Sequence, residues 1–109
     1  MKSPALGTLE LVVLLSVSRL GGEAHGLAIR RDVSARTGHD YSVGAVYTTL
    51  QRLESKGLLS SRLSAPLAIR GGRSRRQFRL TATGTRAMRG AQQRARAVWA
   101  GLTLDPGLP

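Results

Sequence analysis

Apolar residues recur at helical spacing through the stretch Tyr41 to Gly57, YSVGAVYTTLQRLESKG, where Val43, Val46, Leu50 and Leu53 predict one buried stripe. Ser42 is placed to cap the start, because its hydroxyl can accept from a free N–H of the first turn. Gly57 suits the left-handed residue past the end, with Lys56 at the negative end of the helix dipole. The opposite face holds Tyr41, Ser42, Ala45, Thr48, Thr49 and Arg52, which are small or hydrogen-bonding and include no acid. Such a face tolerates water, and equally a phosphate backbone and base edges.

The same period organises the rest. Ser3-Pro4 reads as a cap followed by proline at the first helical position, opening a helix to about Arg19. Its stretch LELVVLLSV is apolar nearly all round, which predicts two buried faces, one on its own core and one on a second copy. Leu20-Gly21-Gly22 breaks it. A second helix, about Ala24 to Thr37, places Ile29 and Val33 on one face, with Leu27 nearby, and Arg30, Arg31 and Arg36 toward solvent; Gly38 ends it. The short turn to Tyr41 then makes a helix-turn-helix over residues 24–57.

From Leu58 the period changes to two. Leu59 and Leu63 fall on one side of a strand, and Phe78 and Leu80 on one side of another. Between them SAPLAIRGGRSR carries Pro66, Gly71-Gly72 and a cluster of arginines, so residues 58–80 predict a hairpin with a basic tip, the wing of a winged helix. Thr81 caps a last helix over 81–102, in which Ala87, Met88, Ala91, Ala95, Val98, Trp99 and Leu102 form an Ala-rich stripe open to close approach by a partner helix. Residues 103–109 read as a frayed tail. The expected fold is mainly α with a small β-hairpin, one winged helix-turn-helix domain over 1–109.

Charge sharpens this picture. The net charge is +11 over 109 residues, and no acid stands between Glu54 and Asp105 while ten arginines do. A field of that sign favours a polyanion, nucleic acid ahead of a membrane surface, and arginine suits bidentate contact with phosphate or guanine. There is no cysteine, which excludes disulfides, thiolate metal sites and a thiol nucleophile. His25 and His39 lack metal-ligand spacing, and no nucleophile, base and acid set can be assembled. No cofactor is expected. The apolar run Leu9 to Val17 is too short for a membrane span and carries Glu10, so a cytoplasmic protein without a membrane partner is expected.

Several segments then carry a family resemblance in order: LGTLELVVLL, AHG, TG, SVGAVYTTLQRLESKGLL and RGGRSRRQFRLTATG, over about Leu6 to Met88. They resemble the PadR family of transcriptional regulators, in its short, single-domain branch. The resemblance implies a DNA-binding homodimer that represses transcription from an inverted-repeat operator, associated with the nucleoid through its DNA. It implies that Tyr41, Ser42, Ala45, Tyr47, Thr48, Thr49 and Arg52 lie at or in the major groove. By the same carry-over Arg70, Gly71, Gly72, Arg73, Arg75 and Arg76 form a wing on phosphates or the minor groove. The first and last helices would pair the subunits through Leu9, Val12, Val13, Ala91, Ala95, Val98, Trp99 and Leu102. Some family members bind planar apolar effectors through a tryptophan on the last helix; Trp99 is on the corresponding helix, where plain dimer packing is the better account and a small apolar effector the alternative. His25 departs from the tyrosine common in the family.

Individual roles stay open. Tyr47 suits a core ring with its hydroxyl toward phosphate. Arg52 suits DNA or an ion pair with Glu54. The rival function is a winged helix for RNA or protein binding without sequence-specific DNA recognition.

Overall fold

The computed structural model describes residues 6–64 and 75–102. The first helix, α1 (Thr8–Leu20), begins behind Gly7, whose backbone N–H donates to the Glu10 carboxylate at 2.9 Å. An acid in the first turn also suits the positive end of the helix dipole. The expected start at Ser3-Pro4 lies outside the described residues. Val13, Leu14 and Val17 turn one side of α1 into the core, while Leu15 on another side remains 37% exposed.

A short 3-10 turn (Gly21–Glu23) leads to α2 (Gly26–Thr37). This helix starts two residues later than its periodicity predicts. Ala24 and His25 are instead drawn out as a rung of sheet: Phe78 N–H donates to Ala24 O at 2.8 Å, and His25 lies opposite Gln77. His25 then caps α2, its Nδ1 facing the Ala28 N–H at 3.4 Å. Ile29 and Val33 are fully buried, whereas Leu27 is left exposed. Gly38 closes the helix at φ +69°, a conformation that L side chains resist.

The chain turns at once into α3 (Val43–Ser55), capped by Ser42 Oγ accepting from Ala45 N–H at 3.1 Å. Gly57, at φ +77°, takes the chain out of it. Strands β1 (Leu59–Leu63) and β2 (Arg76–Leu80) pair antiparallel with Ser61 opposite Phe78. The alternation is as predicted, but Leu59 and Phe78 are buried while Leu63 is 62% exposed, because the hairpin runs out past the edge of the core. Helix α4 (Ala82–Trp99) is capped by Thr81 Oγ1, which accepts from Gly84 N–H at 3.0 Å.

The core is aliphatic. Leu14, Ile29, Leu50, Leu53 and Leu59 are its largest fully enclosed side chains, with Phe78 the one aromatic among the buried residues. Burying each stabilises the fold by about 1.5–3 kcal/mol before entropy is counted. Helix α4 meets this core only by its first turns, through Gly84 against Leu58 and through Ala87 and Met88; from Gln92 onward every described residue is exposed.

Candidate nucleic-acid interface

Two stripes run along α3. Val46, Thr49, Leu50 and Leu53 face the core, at the i, i+3, i+4, i+7 spacing of one helix side. Val43, Gly44, Tyr47, Thr48, Gln51, Arg52 and Ser55 face outward. Thr49 therefore corrects the sequence reading: it is 4% exposed, its hydroxyl donates to Ala45 O at 2.8 Å, and it cannot reach a base from there. Threonine has the shape of valine, and a hydroxyl bonded back to its own helix can be buried at little cost. Val43 is the converse correction, 51% exposed at the helix start, beyond the core's edge. Gln51 and Gly44 join the outer stripe although the residue-type reading passed over them. The i, i+4 rows Gly44–Thr48–Arg52 and Tyr47–Gln51 contain them.

The remaining predicted α3 residues divide. Ser42, Thr48 and Arg52 are exposed, and Ala45 is half-buried. Tyr41 is half-buried, its ring edge-on to His39 at 4.4 Å and its carbonyl accepting from Arg30 Nε at 3.0 Å. Tyr47 is 42% exposed and lies across Gly26, where an added Cβ would fall 2.2 Å from the phenol oxygen. Among the described residues Arg52 makes no ion pair; the Glu54 carboxylate accepts instead from Ser61 Oγ at 2.6 Å.

The wing lies against this helix. Arg76 Nη1 donates to Ser61 Oγ at 3.0 Å, so the chain Arg76, Ser61, Glu54 links β2 across β1 to the last turn of α3. Arg75 is held at the hairpin's mouth, its N–H donating to Ser64 Oγ at 3.0 Å and its carbonyl accepting from Ser64 N–H at 2.7 Å. Arg62, Arg75, Arg76 and Arg79 are all exposed. Arg70, Gly71, Gly72 and Arg73 lie outside the described residues.

Elsewhere Asp32, Glu10 and Asp40 are engaged, and Glu23 is exposed. Asp32 receives Arg19 at 2.6 Å, Ser16 Oγ at 2.5 Å and Arg36 at 3.6 Å. Burial alone would push the Asp32 carboxyl up, but the hydrogen bonds from Arg19 and Ser16 and the nearby charges outweigh it and hold it below the usual aspartate range. Glu10 is held low in the same way: burial opposes, and Lys56 at 2.6 Å with the Gly7 N–H prevails. Asp40 pairs with Arg30 at 3.1 Å.

The predicted subunit contacts separate too. Val13 is fully enclosed in its own chain's core and presents no area to a partner, which corrects that assignment. Leu9 and Val12 are half-buried. An open cavity of about 400 Å³ runs between α1 and α4, lined by Leu11, Leu15, Met88, Ala91 and Ala95 among others. Beyond it Val98, Trp99 and Leu102 are 78%, 54% and 58% exposed. Among the described residues no group of three or more possible metal ligands occurs, and no helix is long and apolar enough to cross a membrane.

Residues 13–90 match the family model described as the Transcriptional regulator PadR-like family. The transcriptional regulator Rv3488 of Mycobacterium tuberculosis is 37% identical over 89 residues, covering 78% of this chain and 78% of that protein. A PadR family transcription regulator from Clostridium difficile R20291 superposes with a TM-score of 0.68 at 23% identity, covering 84% of this chain and 91% of that one. A second, from Eggerthella lenta DSM 2243, gives 0.65 at 28% identity over 84% and 77%.

Proposed function

The chain belongs to the PadR-like family of transcriptional regulators, whose members are regulators and not enzymes, and we propose that it is a homodimeric DNA-binding repressor acting on an inverted-repeat operator. One observation carries the reading. The outer stripe of α3 from Gly44 to Arg52 holds no acid and adjoins the arginines of the hairpin, while Asp32, Glu10 and Asp40 are engaged by cations of their own. Thr48, Gln51 and Arg52 are the base-reading candidates. Ser42 and Tyr47 suit phosphate, and Arg62, Arg75, Arg76 and Arg79 supply charge, with Arg70 and Arg73 between β1 and β2 in sequence.

Dimerisation through α1 and α4 is supported by the groove along Leu15 and Ala91 and by the exposed apolar end of α4. A two-fold pair would set its two α3 helices about 34 Å apart, one turn of duplex, on one face. Bound to DNA, the protein would reside with the nucleoid in the cytoplasm.

Fluorescence anisotropy tests the reading, using the duplex upstream of the protein's own gene against a scrambled duplex at several salt concentrations. The expected result is preferential binding with two chains per site and a steep salt dependence. Equal binding to both duplexes would reduce the protein to a basic surface, and tighter binding to an RNA would favour the rival reading.

A further inference from the structure

The step His25-Gly26 touches both halves of the interface, although neither residue faces outward on α3 or belongs to the wing. Gly26, buried at the start of α2, is the floor on which Tyr47 of α3 lies; an added Cβ would meet three atoms of the phenol within 2.2–2.8 Å. His25, one residue earlier, meets the wing. Its backbone sits opposite Gln77, and its Nε2 is 3.2 Å from Nη1 of Arg75. Gln77 adds a third tie, its side-chain amide donating to Gly22 O at 3.0 Å.

The His25 ring is in short supply of acceptors. Ala28 N–H faces Nδ1 at 3.4 Å, and the Arg75 guanidinium faces Nε2 at 3.2 Å. A neutral imidazole has one lone pair for those two donors. The charged donor is closer, and hydrogen bonds from ionised donors are the stronger kind. Arg75 therefore has its backbone fixed by Ser64 at the hairpin's mouth and its side chain turned back toward the helix-turn-helix by His25.

We propose that His25 and Gly26 are positioning residues: the pair forms a joint that sets Tyr47 of α3 and Arg75 of the wing in fixed relation, so that both engage one duplex. The proposal rests on the DNA-binding reading. It assigns to this step a role that neither residue type announces, and it gives the histidine a task that a ring without a second nitrogen could not perform. Gly26 contributes by having no side chain, since even a methyl group would displace the Tyr47 ring.

The test is a double-mutant cycle read in DNA binding. His25→Asn supplies a short amide oxygen that can accept from Ala28 N–H at the helix start, and it withdraws the group facing Arg75. The expected result is an unfolding midpoint no lower than the parent's with operator affinity lowered about five- to tenfold, the scale of one weakened charge-assisted hydrogen bond. In an Arg75→Ala background the same change should cost nothing further. An equal loss in both backgrounds, or no loss in either, would overturn the proposal while leaving operator binding by the parent protein intact. If the parent protein binds no duplex at low salt, the DNA reading fails and the joint fails with it. The ¹⁵N resonance of His25 Nε2, followed with and without Arg75→Ala, checks the contact itself without DNA; no change on removing Arg75 would overturn the joint independently.

Discussion

The helical part up to α3 and the part from β1 to α4 carry their charge in opposite ways. In the first, Arg19, Arg30, Arg36 and Lys56 are matched with Asp32, Asp40 and Glu10, and these pairs join α1 to α2, α2 to the following turn, and α1 to the end of α3. In the second there is no acid at all as far as Asp105, and Arg62, Arg75, Arg76 and Arg79 stand exposed. Arginine count therefore says little about where a polyanion would dock. What matters is which arginines already have a partner. The first region uses most of its charge to hold helices in place, with Arg31 and Arg52 exposed and outside any ion pair among the described residues, while the second has no acid to pair with its arginines.

The largest test breaks the connection between the two regions. Gly84 of α4 sits where a Cβ would fall 2.1 Å from the Leu58 carbonyl oxygen, a backbone atom that cannot step aside. Gly84→Val should cost about 3 kcal/mol in guanidinium denaturation, at the upper end of overpacking costs.

Next comes the structural use of charge. Asp32→Ala leaves Arg19 and Ser16 without their acceptor and should destabilise by about 1–3 kcal/mol. The salt slope of DNA binding should stay as it is, since no phosphate contact is lost. The same group predicts a pH dependence. Asp32 is held below its unfolded value, so its contribution is present above about pH 4 and disappears as pH falls through the lower folded value. Stability curves at descending pH should fall for the parent protein and fall less for Asp32→Asn.

The two faces of α3 give a smaller contrast. Thr48→Ala should reduce discrimination between operator and scrambled duplex by about 1 kcal/mol at constant unfolding midpoint. Thr49→Val should do the reverse, leaving discrimination intact and shifting stability by under about 1 kcal/mol. If Thr49→Val alone changed discrimination, the assignment of faces would be wrong.

The smallest effect sharpens the charge comparison residue by residue. Arg79→Ala should lower the slope of log affinity against log salt by about 0.9 in magnitude if Arg79 meets a phosphate. Arg36→Ala, which removes a cation already next to Asp32, should leave that slope alone.

Much of the fold was legible because its signals are local. The cap at Ser42, the left-handed glycines 38 and 57, the change of period at Leu58 and the cap at Thr81 each depend on a few neighbouring residues, and each stands where the sequence places it. The order of helices, the hairpin and the motif segments together sufficed to name the family. Where the reading missed, the deciding partner was distant in sequence. Val43 and Thr49 both fit a helical stripe with Val46, Leu50 and Leu53, and hydrophobicity favours Val43. Packing chose Thr49, because the core lies under the middle of α3 and its hydroxyl finds Ala45 O within the helix. Ala24 and His25 read as helix until β2, more than fifty positions on, offers Phe78 N–H as a partner.

The amino-acid sequence by itself determined the elements, their order, the acid-free basic half and the resemblance to the family, since periodicity, caps and charge are properties of residues and their spacing. Only the tertiary structure decided which arginines are engaged, which side of α3 faces out, and that His25 and Gly26 stand between Tyr47 and Arg75. Those are relations between segments brought together by burial of a shared core, and no spacing along the chain encodes them.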